Sequence, residues 1–155
     1  MHIFKTTVGL AGGALAAIAM SVQMVAADEI GRVRAVSDRT TFEECSACHM
    51  AYPPALLPAA SWERIMATLS DHFGEDASLD PKTTKHIRDY LVANAGRVPR
   101  GVDPASPPLR IDEMPWFRHE HGSRTFARAK SDPNIGSIAN CAACHRGVDR
   151  GYFDD

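Results

Sequence analysis

CAACHRG at residues 141–147 repeats, almost letter for letter, the CSACHM at residues 45–50. All four cysteines of the 155-residue chain lie in these two motifs, and a histidine follows the second cysteine each time, as His49 and His145. Disulfides are the plain reading of four cysteines in an oxidising compartment. Bridges from Cys45 to Cys48 and from Cys141 to Cys144 close only tiny loops, however, and restrain little of the unfolded chain. Thiol–disulfide exchange normally sits on a thioredoxin-like βαβ pattern, which this sequence lacks. A tetrahedral zinc shell accounts for paired cysteines and nearby histidines, yet not for a histidine immediately after each pair. Covalent haem accounts for all of it. On a helix, residues three apart share a face, so both thiols reach the two vinyl-bearing edges of one porphyrin, and the next residue brings its imidazole beneath the iron. Cys-x-x-Cys-His is the attachment signature of c-type haem. It assigns Cys45, Cys48, Cys141 and Cys144 to two covalently bound haem c groups, with His49 and His145 as the proximal iron ligands.

The amino terminus fits that chemistry. In MHIFKTTVGLAGGALAAIAMSVQMVAADE a single Lys5 precedes an uncharged, alanine-rich run, and Val25 and Ala27 occupy the small-residue places of a cleavage site before Asp28. The pattern predicts a secretory signal peptide over 1–27 rather than an anchor, because glycine, threonine and serine dilute a run that only approaches bilayer-spanning length. A mature chain of about 128 residues then starts near Asp28 and works outside the cytoplasm, in the periplasm. Loss of the leader removes Lys5 and no acid, so the formal charge moves from -2 to -3. No Lys/Arg run of the kind a phosphate backbone requires is present, which excludes nucleic acid as a natural partner. No later stretch is apolar enough to span a membrane, leaving peripheral contact at most. Frequent proline and glycine leave few long apolar stripes for so short a chain, so a large cofactor is expected to fill the middle.

What occupies each iron's sixth position decides between carrying electrons and binding gas or peroxide. His72, His86, His119 and His121 are candidates, with Met50, Met66 and Met114 as thioether alternatives. Met50 follows His49 directly and cannot easily reach the opposite haem face. The spacing of SWERIMATLSDHFG predicts a helix from an N-cap at Ser61 to a stop at Gly74, with Trp62, Ile65, Met66, Leu69, His72 and Phe73 on one stripe. His72 then projects from the buried face and is the expected distal ligand, while Met66 reads as packing. DPKTTKHIRDYLVANAG predicts another helix, capped by Asp80, with Pro81 in its first turn and Gly96 beyond its end. His86 lies off its Ile87, Tyr90, Leu91 stripe and reads as a solvated or capping histidine. RVPRGVDPASPPLR, without an apolar period, reads as a linker or irregular strap. Beyond it His119 and His121 stand two apart and cannot share a helix face, so one ligates and the other meets solvent or a propionate. The chain divides into the leader over 1–27, a first haem domain over 28–100, and a linker with the second haem domain over 101–155.

CSACHMAYPPALLPAASWERIMATLSDHFGEDASLD, the helix ending IRDYLVANAG, WFRHEH and the terminal ANCAACHRGVDRGYF together resemble the bacterial dihaem cytochrome c family of small exported electron-transfer proteins. The resemblance covers essentially the whole mature chain. It implies a mainly α fold, with an amino-terminal part similar to class I cytochrome c, a small carboxy-terminal haem-binding part similar to multihaem cytochromes, and long irregular connections. It also implies two bis-histidine haems. By position the histidine of HFG is His72 and the last histidine of WFRHEH is His121; His119 is an additional histidine at a place where the family pattern has another residue type. Each distal candidate lies about twenty residues from a motif, which gives His72 to the first haem and His121 to the second, with the crossed pairing as the alternative. The implied partners are a membrane b-type cytochrome or quinol-linked donor and a soluble acceptor such as a small oxygen-binding cytochrome c. An iron with one open site would instead make the protein an enzyme or sensor for peroxide, nitric oxide or oxygen.

Overall fold

A computed structural model of the chain describes residues 33–153. The expected leader over 1–27 therefore lies outside the described residues. The fold is mainly helical, with α1 (Arg39–Cys45), α2 (Ala59–Ala67), α3 (Pro81–Ala93), α4 (Pro115–Glu120) and α5 (Ser123–Ser131) joined by long irregular segments and short 3-10 turns. Isolated bridges pair Pro58 with Gly96 and His72 with Glu75. Among the described residues no helix is long and apolar enough to cross a membrane.

Helices α1 and α3 each start at an aspartate whose side chain caps the first turn. Asp38 caps α1, its carboxylate accepting from the Thr41 N–H and the Thr41 hydroxyl. Asp80 caps α3 through the N–H groups of Lys82 and Thr83, and Pro81 opens the helix with a φ already suited to it. Helix α2 differs from its prediction at both ends. It begins at Ala59 behind Pro58, so Ser61 is inside it, and the Ser61 hydroxyl donates to the Pro108 carbonyl at 2.7 Å instead of capping. It ends at Ala67, because the Thr68 hydroxyl bonds back to the carbonyls of Arg64 and Ile65 and the chain then tightens into a 3-10 turn over Leu69–Asp71.

Helices α2 and α3 pack together, and α1 crosses onto α3. Leu57, Trp62, Ile65 and Met66 meet Ile87 and Leu91 in one buried cluster, which Met114 and Phe117 of the carboxy-terminal half complete. The core thus joins residues on both sides of the 100/101 boundary. Gly96 was expected as a helix stop. It is needed instead for close approach: its N–H donates to the Leu57 carbonyl at 2.9 Å, and a Cβ there would run into the Ala55 carbonyl. At the other end, Gly151 adopts φ +81° where its carbonyl accepts from the Val33 N–H at 2.8 Å, tying the carboxy-terminal turn to the beginning of the described chain.

Candidate functional site

The first motif begins on the last residue of α1, Cys45, and continues as a turn through Cys48 and His49. The second begins in a 3-10 turn over Cys141–Ala143. Neither motif lies within an α-helix, contrary to the helical geometry expected for them; the i to i+3 closure survives because a 3-10 or terminal turn also brings residues three apart to one side. Neither cysteine pair forms a disulfide. Burial pushes the Cys45 thiol up to about 11 and raises Cys141 as well. Thiols that resist ionisation are poor nucleophiles for exchange chemistry.

Across from His49 stands His72. Their ring centres are 6.1 Å apart and their planes 21° from parallel. His72 does not ride on α2; it is delivered by a tight turn in which its N–H donates to the Glu75 carbonyl at 2.7 Å and the Glu75 N–H donates back at 3.3 Å. The next residue, Phe73, has φ +59°, a left-handed conformation that costs a bulky residue roughly 1–2 kcal/mol. The Arg110 guanidinium lies 4.2 Å from the Phe73 ring centre, a cation–π contact that helps to hold it. Burial, then the nearby His49 and Arg110, lowers the His72 pKa. On the opposite side the His49 Nδ1 is 2.7 Å from the Met50 carbonyl. A carbonyl only accepts, so Nδ1 carries a proton and Nε2 is the ring nitrogen left to meet a metal.

The second pair repeats the spacing with a different angle. His121 and His145 have ring centres 6.0 Å apart and planes at 87°. His121 is the residue that ends α4, and its Nδ1–H donates to the Phe117 carbonyl at 3.1 Å, again leaving Nε2 free. The Phe117 ring stacks on the His121 imidazole at 4.0 Å and 15°, and Phe153 packs edge-on against His145 at 5.5 Å. His119, still within α4, is exposed and belongs to neither facing pair. His86 stands apart on α3, where its Nε2 lies 2.9 Å from the Asp38 carboxylate. Met66 and Met114 are core residues.

Two imidazoles bound on opposite sides of one metal, with bonds of about 2 Å and each ring centre roughly 1 Å further out, stand about 6 Å apart. Both histidine pairs meet that requirement. Between the first pair opens a cavity of about 780 Å³, within the ordinary range for a bound cofactor, walled by Trp62, Ile65 and Met66 of α2 and bordered by Cys45, Cys48 and His49. The thiols, the facing imidazoles and the apolar wall are the donor set and lining that a covalently tethered haem requires. Among the described residues no group of three or more His, Cys, Asp or Glu side chains gathers as a closed metal shell.

One residue at these sites, Tyr52, went unnoticed in the sequence. Tyr52 stacks on His49 with ring centres 4.9 Å apart, and its hydroxyl donates to the Ala139 carbonyl at 2.9 Å; burial pushes the phenol up to about 12. Phe117, which the sequence offers with Trp116 as flat apolar surface beside His119 and His121, lies four residues before His121, the spacing at which helical side chains meet.

A family profile described as dihaem cytochrome c matches residues 41–153. No match was found among curated proteins. Among solved structures, the diheme cytochrome c from Rhodobacter sphaeroides is 50% identical, covers 78% of this chain and 100% of its own length, and superposes with a TM-score of 0.67. A second structure, of DHC purified from the same organism, is 49% identical over 77% of this chain and 99% of its own, with a TM-score of 0.61. A diheme cytochrome from Shewanella baltica OS155 is 38% identical over 75% of this chain and 86% of its own, at 0.65. With this agreement over sequence and fold alike, the chain belongs to the dihaem cytochrome c family and carries two covalently bound haem c groups.

Proposed function

We propose that the protein is a periplasmic electron carrier in which His49 and His72 close one haem iron and His121 and His145 close the other. The observation that carries this reading is the pair of imidazole separations, 6.1 and 6.0 Å, each the width of one metal held between two rings. When bound, haem c supplies one-electron chemistry between ferric and ferrous iron. The chain's own residues make that chemistry selective. Two imidazoles on each iron would leave no coordination position for oxygen, peroxide or nitric oxide. The carbonyls of Met50 and Phe117 fix the tautomers of His49 and His121 and restrain their rings, so little has to move when an electron arrives. Histidine rather than methionine as the second donor favours the ferric state and a lower potential.

The acidic formal charge of the chain suits docking on a basic rim of a partner. A membrane b-type cytochrome or quinol-linked donor on one side, and a small oxygen-binding cytochrome c on the other, are the partners this reading assigns. Export by the leader over 1–27 belongs to the same reading, since covalent tethering prevents loss of the cofactor outside the cytoplasm.

Absorption spectra of the oxidised and dithionite-reduced protein test the proposal. Two low-spin haems per chain and no carbon monoxide complex are expected. High-spin bands with carbon monoxide binding to the ferrous protein would replace the carrier reading with that of an enzyme or gas sensor.

A further inference from the structure

We infer that Tyr52 joins the two haem sites, setting the His49 ring with its face and holding the second attachment segment with its hydroxyl. The inference rests on the proposal that His49 is an iron ligand. Tyr52 is three residues beyond His49 in the chain, yet its hydroxyl bonds to a residue 87 positions away. That residue, Ala139, precedes Cys141 by two. The Ala139 carbonyl accepts from the Tyr52 hydroxyl at 2.9 Å and from the Cys141 N–H at 3.0 Å, with the Cys141 thiol 3.5 Å away. On the other side, the Tyr52 ring stacks on the His49 imidazole at 27° from parallel. Ligand ring, phenol ring, two hydrogen bonds meeting at the Ala139 carbonyl, and a cysteine residue thus form an unbroken line of contacts from one site to the other.

Both ends of the line are pinned. Pro53 and Pro54 follow Tyr52 and fix the backbone that carries it, and the Pro54 carbonyl accepts from the buried Trp62 indole at 2.8 Å. The Ala139 N–H donates to the Ser137 hydroxyl oxygen at 3.1 Å. Ala139 and Cys141 also border the first cavity, so the second attachment segment forms part of the wall of the first site. Phe117 is the other residue common to both, lining the first cavity while stacking on His121, but its side chain can only pack.

When one electron passes between the sites, one iron goes from ferrous to ferric and the other from ferric to ferrous. Tyr52 gains and loses neither an electron nor a proton; it is a positioning residue and part of the medium. Tyr52→Phe keeps the stacked ring and removes the hydrogen bond, whereas Tyr52→Leu removes both. The holoprotein is photoreduced by less than one electron per chain, and redistribution between the haems is followed in the visible bands. The expected order of rates is native, then Tyr52→Phe, then Tyr52→Leu, with the last slower by about two- to thirtyfold, the range over which residues between two sites change their coupling. Ser61→Ala, which removes a hydrogen bond outside the bridge, is expected to redistribute electrons at the native rate. Equal rates in native protein and both Tyr52 variants, with low-spin spectra retained, overturn the Tyr52 inference alone. Slowing by Ser61→Ala as large as that by Tyr52→Phe also overturns it, because the rate then follows general loosening. Carbon monoxide binding by the reduced native protein overturns the ligation reading instead.

Discussion

Asp38 secures the helix that presents the first attachment cysteine, and its removal should be felt at that site. One carboxylate oxygen accepts from the Thr41 N–H at 2.8 Å and from the Thr41 hydroxyl at 2.7 Å; the other lies 2.9 Å from His86 on α3. In Asp38→Ala the lost cap costs about 1 kcal/mol. Thr41 is 0% exposed, so its stranded hydroxyl adds roughly 1–2 kcal/mol. The His86 pair, half in solvent, contributes at most about 1 kcal/mol. A total of about 2–4 kcal/mol lowers the melting temperature by roughly 6–20 °C for a chain of this size. Asp38→Asn keeps the capping oxygen and should lie within about 1 kcal/mol of native. The Thr41 N–H, then the Thr41 hydroxyl, and His86 to a lesser degree hold the Asp38 carboxyl below the usual carboxylate range. The unfolded chain therefore binds the proton first. The stabilisation is complete above the ordinary carboxylate value of about 4 and is lost as pH falls through the lower folded value, so the gap between native and Asp38→Asn should narrow below pH ~4. Thermal unfolding of the holoproteins by circular dichroism at pH 7 and pH 3 measures both effects. Asp38→Ala within about 0.5 kcal/mol of native, or Asp38→Asn as damaging as Asp38→Ala, would refute the capping account.

Replacing His72 or His121 by alanine should open one iron in each variant, seen as high-spin bands and one equivalent of carbon monoxide bound on reduction, while His119→Ala keeps the native spectrum. Gly96→Ala forces a Cβ against the Ala55 carbonyl, backbone against side chain with no flexible group to yield, and should cost about 1–3 kcal/mol in denaturant unfolding. Electron exchange with a basic partner should slow as ionic strength rises from about 0.01 to 0.15 M, where the screening length contracts from roughly 30 to 8 Å; stopped-flow rates that do not change would remove the electrostatic docking.

The parts of this molecule that were legible in its sequence are those whose chemistry is local. Helix α3 runs between Asp80 and Asn94 much as its cap, its proline and its Ile87, Tyr90, Leu91 stripe required. The cysteine motifs declared their cofactor because covalent attachment demands a fixed spacing, even though the backbone there is a turn rather than a helix. His72 shows where periodicity fails. Its spacing from Trp62, Ile65 and Leu69 pointed to the buried side, but the Thr68 hydroxyl ends α2 five residues earlier, and a left-handed Phe73 redirects the chain. The histidine faces the cavity through a turn that no helical wheel contains. The choice between His119 and His121 depends on one residue's difference in where α4 stops: His119 is held on the exposed surface of the helix, whereas His121, at its end, is free to swing its ring toward His145. Least legible was the relation between the two sites. Tyr52 and Ala139 share no periodicity and no motif, and only a fold that brings positions 87 apart together gives that tyrosine its second partner. A local code thus marks what each site holds, while long-range packing decides how the two communicate. Substitutions that alter communication without altering ligation should therefore lie at residues such as Tyr52 that carry no cofactor signature of their own.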